Sequence, residues 1–262
     1  MSATFKSYII HRKASRMSAK DVSVVIPTLW RSSWTRQLVG NLLEWDRVLE
    51  VIIIDNSPES RPHDFPIKGC KVLNYGENIY VNPAWNEGAK RARGRYLMIC
   101  NDDISFEPDS LEGLFEMLKP STVFGLHSRS FDYSGPLVTD DEFYVGFGWG
   151  CLMIMETNNY PFIPNNLKIF RGDDWIAYSH RNRLTFSIPV RGELSASHKG
   201  QFDAIKEKDA FLFEMYRRRT HYRILFKLVD WTGWSKPIQI ATRLKNTAFL
   251  RQNQPLLSRS DP

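Results

Sequence analysis

The stretch "NPAWNEGAKRARGRYLMICNDD", residues 82–103, contains a predicted helix, a turn and a predicted strand in immediate succession. Asn82 and Pro83 are typical of a helix start, because proline lacks the N–H that the first turn leaves unpaired. Small or apolar residues then share one helix face: Ala84, Trp85, Gly88, Ala89 and Ala92. Residues 96–100, "YLMIC", are short and apolar, as in a strand that is covered on both faces. The segment predicts one unit of an α/β fold.

This strand ends abruptly on three polar residues, Asn101, Asp102 and Asp103. Two adjacent carboxylates repel each other, and burying them without a counter-charge is costly. We therefore expect a positively charged partner at this strand end.

Other segments continue the alternation of strand and helix. Three short apolar runs predict further strands: residues 22–26, 51–54 and 71–73. Residues 34–45 predict a helix, and Asp109 is expected to cap another at residues 110–118. The pattern predicts a mostly parallel sheet flanked by helices. In such a sheet, ligands bind beyond the carboxyl ends of the strands, where the strand order reverses.

Composition limits the class of protein. The chain has 262 residues, 42% of them hydrophobic, which is enough for one substantial core. Its three cysteines, Cys70, Cys100 and Cys151, are scattered and odd in number, so we expect reduced thiols and neither a disulfide framework nor a zinc site. No run approaches the roughly 20 apolar residues of a membrane span, and the first residues lack the apolar core of a signal peptide. These features predict a cytoplasmic protein.

The excess positive charge lies near the C-terminus. Residues 199–262 hold 13 Lys and Arg against 6 Asp and Glu, a net charge of +7, while the preceding residues hold 22 against 23, a net charge of −1. Residues 215–237 interleave arginines with aromatic residues, which favours peripheral contact with an anionic membrane or with nucleic acid. A solvated basic face over an aromatic core is the alternative. We expect an N-terminal extension (1–20), a core (21–200) and a helical, basic C-terminal extension packed on it (201–262).

The loop after the first strand excludes one common nucleotide-binding class. Dinucleotide-dependent dehydrogenases need a glycine-rich turn there, and "IPTLWRSS", residues 26–33, has no glycine. A divalent cation held by carboxylates is another way to bind a diphosphate. The carboxylates after Asn101 are therefore predicted to hold a metal ion.

Four segments, in order, carry a family resemblance: "VSVVIPTLWR" (22–31), "EVIIIDNSP" (50–58), residues 78–103 and "FRGDDW" (170–175). Together they resemble the inverting nucleotide-sugar transferases of the GT-A fold in glycosyltransferase family 2, and the resemblance extends from residue 22 to about residue 198. It implies a GT-A (Rossmann-like) sheet. It also implies metal-assisted transfer of a hexosyl or deoxyhexosyl group from a nucleotide-diphosphate sugar to a hydroxyl of a glycan or other acceptor, as in polysaccharide biosynthesis.

The resemblance implies which residues bind the donor. The nucleotide-sugar site would comprise Pro27, Thr28, Arg31, Asp55, Asn56, Asn86, Gly88, Asn101 and Asp102. Asp55 would recognise the base or ribose, with a helix or turn cap as the alternative. Asn86 and Gly88 would lie on the helix that packs over the nucleotide, with a helix-surface position as the alternative for Asn86.

The metal ligands follow from the same comparison. The family usually has Asp-x-Asp where this chain has Asn101, Asp102 and Asp103, so Asp103 is implied to be the main ligand of Mn²⁺ or Mg²⁺. His198 falls where the family commonly supplies a further ligand, although a surface histidine is the alternative.

An inverting transfer also needs a base that removes the proton of the acceptor hydroxyl. Asp173 and Asp174 resemble the acidic pair of the family, whose second member is the base, so Asp174 is the first candidate and Asp173 the second. Helix capping is the alternative for one of them.

The acceptor site is assigned to Trp149, Gly150 and Trp175, with a tight turn and core aromatics as the alternative for residues 144–155. Two other functions stay open: modification of a base in a polynucleotide, and an inactive sugar-nucleotide-binding module.

Overall fold

The computed structural model describes residues 7–9, 20–57, 69–140, 148–192 and 202–217. The strands are β1 (Ser7–Ile9), β2 (Val22–Thr28), β3 (Val48–Asp55), β4 (Cys70–Asn74), β5 (Tyr96–Cys100), β6 (Ile104–Ser105), β7 (Thr122–Leu126), β8 (Val138–Asp140), β9 (Leu152–Glu156), β10 (Asn182–Ser187) and β11 (Arg191–Gly192). The α-helices are α1 (Thr35–Glu44), α2 (Val81–Ala89), α3 (Glu112–Met117), α4 (Gly172–Ser179) and α5 (Asp203–Arg217). Short 3₁₀ turns lie at Pro108–Leu111, Ser128–Asp132, Trp149–Cys151 and Thr157–Asn159.

Nine of these strands form one sheet in the order β1-β8-β10-β7-β9-β5-β2-β3-β4. The four strands that the sequence predicts make up one side, β5-β2-β3-β4, and pair in parallel throughout. The prediction of an α/β sheet flanked by helices is confirmed. The other side is mixed, because β9 pairs antiparallel with both β5 and β7, while β10 pairs parallel with β7.

The strand order reverses between β2 and β5. From β2 the chain adds β3 and then β4 on one side, and it returns to the other side of β2 with β5. Thr28 and Asp55 are register partners at the ends of β2 and β3. The ends of three strands therefore meet beside one crevice, where α/β sheets bind their ligands.

Helices cover the two faces of this parallel side. Alternate residues of a strand point to opposite faces. Val24 lies in the same cluster of buried residues as Leu38 of α1, and Val25 lies in the same cluster as Ala84 of α2. Burial on both faces explains why these strands are continuous apolar runs.

The predicted cap at Asp109 is wrong. A 3₁₀ turn begins one residue earlier at Pro108, and Asp109 lies inside that turn. Proline is favoured at the first helical position, so it moves the start of the turn ahead of the aspartate. Glu112 accepts hydrogen bonds from Trp45 Nε1 (2.8 Å) and Arg47 Nε (3.1 Å), which join α3 to the chain around β3.

β1, in the predicted N-terminal extension, pairs antiparallel with β8 at the edge of the sheet. All three cysteines are free thiols, as expected. No helix in the described ranges combines the length and the apolar character needed to span a membrane.

Gly88 and Gly40 provide a matched test of the packing of α2. A Cβ on Gly88 would lie 2.2 Å from Val25 Cγ1, whereas a Cβ on Gly40 of α1 would have no heavy atom within 4 Å. Gly88→Ala should therefore lower the free energy of unfolding by about 1 to 3 kcal/mol in urea titrations, through overpacking. Gly40→Ala should raise it by about 0.5 to 1 kcal/mol, because alanine has less backbone entropy to lose. Equal effects of the two substitutions would contradict this packing.

Candidate active site

The crevice between β2 and β5 is bridged by a hydrogen bond. Thr28 Oγ1, at the end of β2, donates to Asp102 Oδ2 at 2.5 Å. Thr35 Oγ1, at the start of α1, donates to the backbone carbonyl of Asp102 at 3.1 Å. Asp102 is thus fixed to a neighbouring strand and to a helix. Thr28 and Asp102, both predicted donor-site residues, lie together at the point where the strand order reverses.

Asp55 lies at the end of β3 and is only 2% exposed. Its Oδ1 accepts from Trp30 Nε1 (2.8 Å) and Ser57 N (3.0 Å), and its Oδ2 accepts from Asn74 Nδ2 (2.8 Å). The bond to Ser57 is the turn cap that the sequence left open. Recognition of a base or ribose by Asp55 stays a prediction.

Trp30 connects Asp55 to Thr28, and the sequence analysis missed it. Its backbone N–H donates to Thr28 Oγ1 at 2.8 Å, while its indole N–H reaches Asp55. The residue has a φ of +58°, which is uncommon for a bulky side chain. Strained residues cluster at functional sites. The available signal was its place in the loop after a buried strand.

The other predicted donor residues lie in different environments. Pro27 is within β2 and pairs with Ile54, and Arg31 is exposed in the loop before α1. The backbone N–H of Asn56 donates to the Thr28 carbonyl at 2.8 Å, and its buried Oδ1 has no hydrogen-bond partner among the described residues.

Asn86 and Gly88 have structural roles in α2. Asn86 is 3% exposed, so the helix-surface alternative is wrong. Its Nδ2 donates to the Ile163 carbonyl (2.7 Å), and its Oδ1 accepts from Tyr160 Oη (3.0 Å) and Ile163 N (2.9 Å). Gly88 provides the close contact with Val25. These two residues hold the 160–163 segment and the sheet together, and nucleotide contact by either stays a prediction.

Asp102 and Asp103 supply the oxygen atoms of the candidate metal site. Burial, with the charge of Asp103 as a smaller cause, raises the pKa of Asp102 to about 6. A cation would relieve this repulsion, and carboxylate oxygens are the ligands that Mg²⁺ and Mn²⁺ prefer, so the donor set fits such an ion. The part of the chain that the structure describes contains no cluster of three or more acidic, histidine or cysteine ligands. His198 lies outside the described residues.

Asn101 is tied to the turn that precedes β9. Its backbone N–H donates to the Cys151 carbonyl at 2.9 Å, and its Nδ2 lies 3.5 Å from Cys151 Sγ. Burial raises the pKa of the Cys151 thiol to about 12, so it stays protonated near neutral pH. The 3₁₀ turn Trp149–Cys151 therefore lies directly beside the strand end that carries the carboxylates.

Asp173 and Asp174 lie in the first turn of α4. Arg171, just before the helix, has a φ of +66°, and its Nη1 donates to Asp174 Oδ2 at 2.8 Å. Asp174 is 8% exposed. Asp173 Oδ1 accepts from the backbone N–H of Asp174 at 2.9 Å. The N-cap residue is Arg171 and no side chain caps the helix, so neither aspartate is the helix cap that the sequence allowed.

Asp173 lies against Gly150. The chain therefore has two acidic motifs, Asp102–Asp103 and Asp173–Asp174, that both lie beside the turn Trp149–Cys151. A Cβ on Gly150 would lie 2.9 Å from Asp173 Cβ and 3.1 Å from its Oδ2. Glycine is required there by this close approach. Burial, and then the charge of Asp174, raises the pKa of Asp173 to about 6. A carboxylate with such a pKa is suited to accept a proton near neutral pH.

The structure corrects the acceptor prediction for Trp149. Its ring is 1% exposed, and a Cβ on Gly125 of β7 would lie 2.0 Å from it. Trp149 is a core residue and does not offer a face for sugar stacking. Trp175 packs edge-on against Tyr216 of α5, with ring centroids 5.5 Å apart. Acceptor contact by Trp175 and Gly150 stays a prediction.

The mixed sheet, with carboxylates at the carboxyl edge of its parallel side where the strand order reverses, is that of the GT-A class of glycosyltransferases. The model of a family described as "Glycosyl transferase family 2" matches residues 23–171. This match covers more than half of the chain, and the chain belongs to glycosyl transferase family 2. It is therefore a glycosyltransferase by family.

Solved structures of S. aureus TarS share the fold. The crystal structure of TarS is 15% identical with a TM-score of 0.50, and the alignment covers 82% of this chain and 46% of TarS. The structure of TarS 1-349 in complex with UDP-GlcNAc is 16% identical with a TM-score of 0.50, over 73% of this chain and 66% of that chain. This chain thus spans less than half of TarS. A search of curated proteins found no significant match.

Asp173 should make the folded state less stable at neutral pH. Its folded pKa of about 6 exceeds the ordinary value of 3.8, so the stability that comes from its protonation is present at low pH and is lost as the pH rises from about 4 through 6. Asp173→Asn keeps an acceptor for the Asp174 N–H and removes the charge of this partly buried side chain. It should raise the free energy of unfolding by about 1 to 3 kcal/mol at pH 7.5, and by much less at pH 4.

Urea titrations at both pH values measure this difference. Asp46→Asn, at an exposed aspartate, serves as the control and should change stability little at either pH. A gain for Asp173→Asn that does not depend on pH, or a loss at pH 7.5, would contradict the assigned pKa.

Proposed function

We propose that this glycosyltransferase transfers a sugar from a nucleotide-diphosphate sugar to an acceptor hydroxyl by a single, inverting, metal-assisted displacement. The observation that carries the proposal is the junction of the two acidic motifs. The turn Trp149–Cys151 hydrogen-bonds to the strand end at Asn101 and contacts Asp173 through Gly150. The strand end that we assign to the donor diphosphate and the candidate base would then lie on the two sides of one short turn.

The crevice between β2 and β5 supports a nucleotide-sugar donor. Thr28, Asp55 and Asn56 lie at its edge, and the buried Oδ1 of Asn56 has no hydrogen-bond partner within the part of the chain that the structure describes. The TarS structure solved with UDP-GlcNAc has the same fold and adds support for a donor of this chemical class. The identity of the sugar and the base is open to experiment.

Asp103 and Asp102 would hold the divalent cation, with His198 as a further ligand. When bound, Mn²⁺ or Mg²⁺ supplies positive charge that stabilises the leaving diphosphate. Asp102 itself is kept in place by Thr28 and Thr35, so the chain pre-orients the carboxylate for this role.

The proton of the acceptor hydroxyl would pass to the pair Asp173 and Asp174. The family motif favours Asp174 as the base, and Arg171 fixes the direction of its carboxylate. The raised pKa of Asp173 and its position against Gly150 favour Asp173. Substitution of each residue distinguishes the two assignments.

Two other functions have less support. A sugar-nucleotide-binding module without activity would not need the second acidic motif beside the first. Modification of a polynucleotide would rely on basic residues beyond Arg217, which lie outside the described ranges. A cytoplasmic location, a glycan acceptor, and contact of the C-terminal extension with an anionic membrane remain proposals that the sequence alone supports.

The base can be identified by separate substitutions. Asn preserves the shape of aspartate and removes its basicity, so the variant of the true base should turn over at least about 10²-fold more slowly, while its donor affinity stays within about threefold of the parent. The other substitution should cost less than about tenfold. NMR should show that the product has the opposite anomeric configuration to the donor. Retention of configuration, or near-parent turnover of both Asp173→Asn and Asp174→Asn, would contradict the mechanism.

The metal assignment has its own test. A panel of sugar nucleotides with Mn²⁺ identifies the donor by thermal stabilisation, since a ligand at about 100 times its Kd adds roughly 2.7 kcal/mol. Asp103→Ala should abolish the part of this stabilisation that depends on Mn²⁺ and leave the fold intact. Full transfer activity of the parent in excess chelator would exclude metal assistance.

A further inference from the structure

A buried carboxylate binds the segment that leads into α4. Asp209 of α5 is 0% exposed. Its Oδ1 accepts from Lys168 N at 3.0 Å, and its Oδ2 accepts from Ile169 N at 2.8 Å and Phe170 N at 2.9 Å. Three consecutive backbone N–H groups thus converge on one side chain. Hydrogen bonds from N–H groups to a carboxylate are stronger than those to neutral acceptors.

The opposite side of the same segment is bound by α2. The Asn82 backbone N–H donates to the Lys168 carbonyl at 3.0 Å, and Asn82 Nδ2 donates to the Phe170 carbonyl at 3.2 Å. The donors of the segment therefore face α5, and two of its acceptors face α2. The segment is held from both sides, so its position is defined by two helices.

The start of α4 has little room to move once this segment is in place. A Cβ on Gly172 would lie 2.0 Å from Asn82 Oδ1 and 3.0 Å from Trp85 Cζ3. The two acidic residues of α4 follow immediately after this contact. A displacement of the segment would therefore be transmitted to Asp173 and Asp174.

Helix α5 also packs along α4. Tyr216 contacts Trp175, Phe213 contacts Tyr178 with centroids 6.0 Å apart, and Tyr216 Oη donates to Asn166 Oδ1 at 2.8 Å. Residues 203–217 lie beyond the family-model match, which ends at residue 171. Part of the predicted C-terminal extension thus packs against α4, the helix that carries Asp173 and Asp174.

We propose that Asp209 is a positioning residue for the acidic pair Asp173 and Asp174, acting through residues 168–171. The proposal rests on the proposed function, since it assigns the pair to proton transfer. A displacement of about 1 Å at a reacting group can cost about 10²-fold in rate. The hydrogen bonds of the Asp209 carboxylate all go to residues 168–170 and none goes to the proposed donor site at the ends of β2, β3 and β5.

Asp209→Asn tests the proposal, because an amide keeps one acceptor oxygen and turns an NH₂ group toward the backbone donors. Glu50→Gln is the matched control. Glu50 is another buried carboxylate that accepts a backbone N–H, from Arg93 at 2.8 Å. It lies near the amino end of β3, away from the crevice.

Asp209→Asn should lower kcat at least about tenfold and leave donor affinity within about threefold of the parent. Glu50→Gln should lose stability and keep kcat within about twofold. Hydrogen exchange should accelerate in Asp209→Asn from Lys168 through Trp175. A parent kcat in Asp209→Asn, or an equal loss of kcat in Glu50→Gln, would overturn the proposal.

Two further outcomes are distinguishable. If Asp209→Asn does not fold, Asp209→Glu, which keeps the charge and is one methylene longer, replaces it. Lowered kcat with unaltered donor affinity then supports positioning, and parent kcat overturns it. If the parent transfers no sugar with any donor and acceptor, the proposed function fails. Hydrogen exchange alone then decides: acceleration that reaches Asp173 and Asp174 supports positioning, and acceleration that stops at Phe170 overturns it.

Discussion

The placement of two adjacent carboxylates, Asp102 and Asp103, at the end of a buried strand is the constraint on which the rest of the site depends. Both carboxylates follow β5, which is fully covered between β2 and β9. Burial raises the pKa of Asp102 to about 6, so its charge is held where water does not fully stabilise it. Thr28 and Thr35 bind Asp102 without neutralising it. Groups with perturbed pKa values cluster at functional sites, and the proposed function assigns this pair of carboxylates to a cation.

The second acidic motif reaches the first through backbone contacts. Gly150 is essential in this arrangement, because any side chain at that position would displace Asp173. The turn that contains it is bonded to Asn101, so the spacing between the motifs depends on the register of β5 and β9. On the far side, α2 and α5 fix the segment before α4. The sheet therefore positions the proposed donor site, and the helices position the candidate base.

The sequence predicted those parts of the site that depend on residues close together along the chain. The apolar run ending at Asn101, the parallel strands and the acidic start of α4 were all visible in short segments. Long-range partners were not. Trp149 is buried because Gly125 leaves space for its ring, Asn86 bonds to residues 160 and 163, and Asp209 bonds to a segment about 40 residues earlier in the chain. Each pairing depends on the tertiary fold, which the spacing of residues along the chain does not specify.

The central claim is that the carboxylates after β5 bind a cation that contacts the donor diphosphate. Its most direct test is a crystal structure with Mn²⁺ and the stabilising sugar nucleotide, in which anomalous scattering locates the metal. We expect the Mn²⁺ peak within about 2.5 Å of an Asp103 carboxylate oxygen, with the diphosphate as a further ligand. A sugar nucleotide bound elsewhere, or bound in this crevice with Mn²⁺ absent from Asp102 and Asp103, would contradict the account.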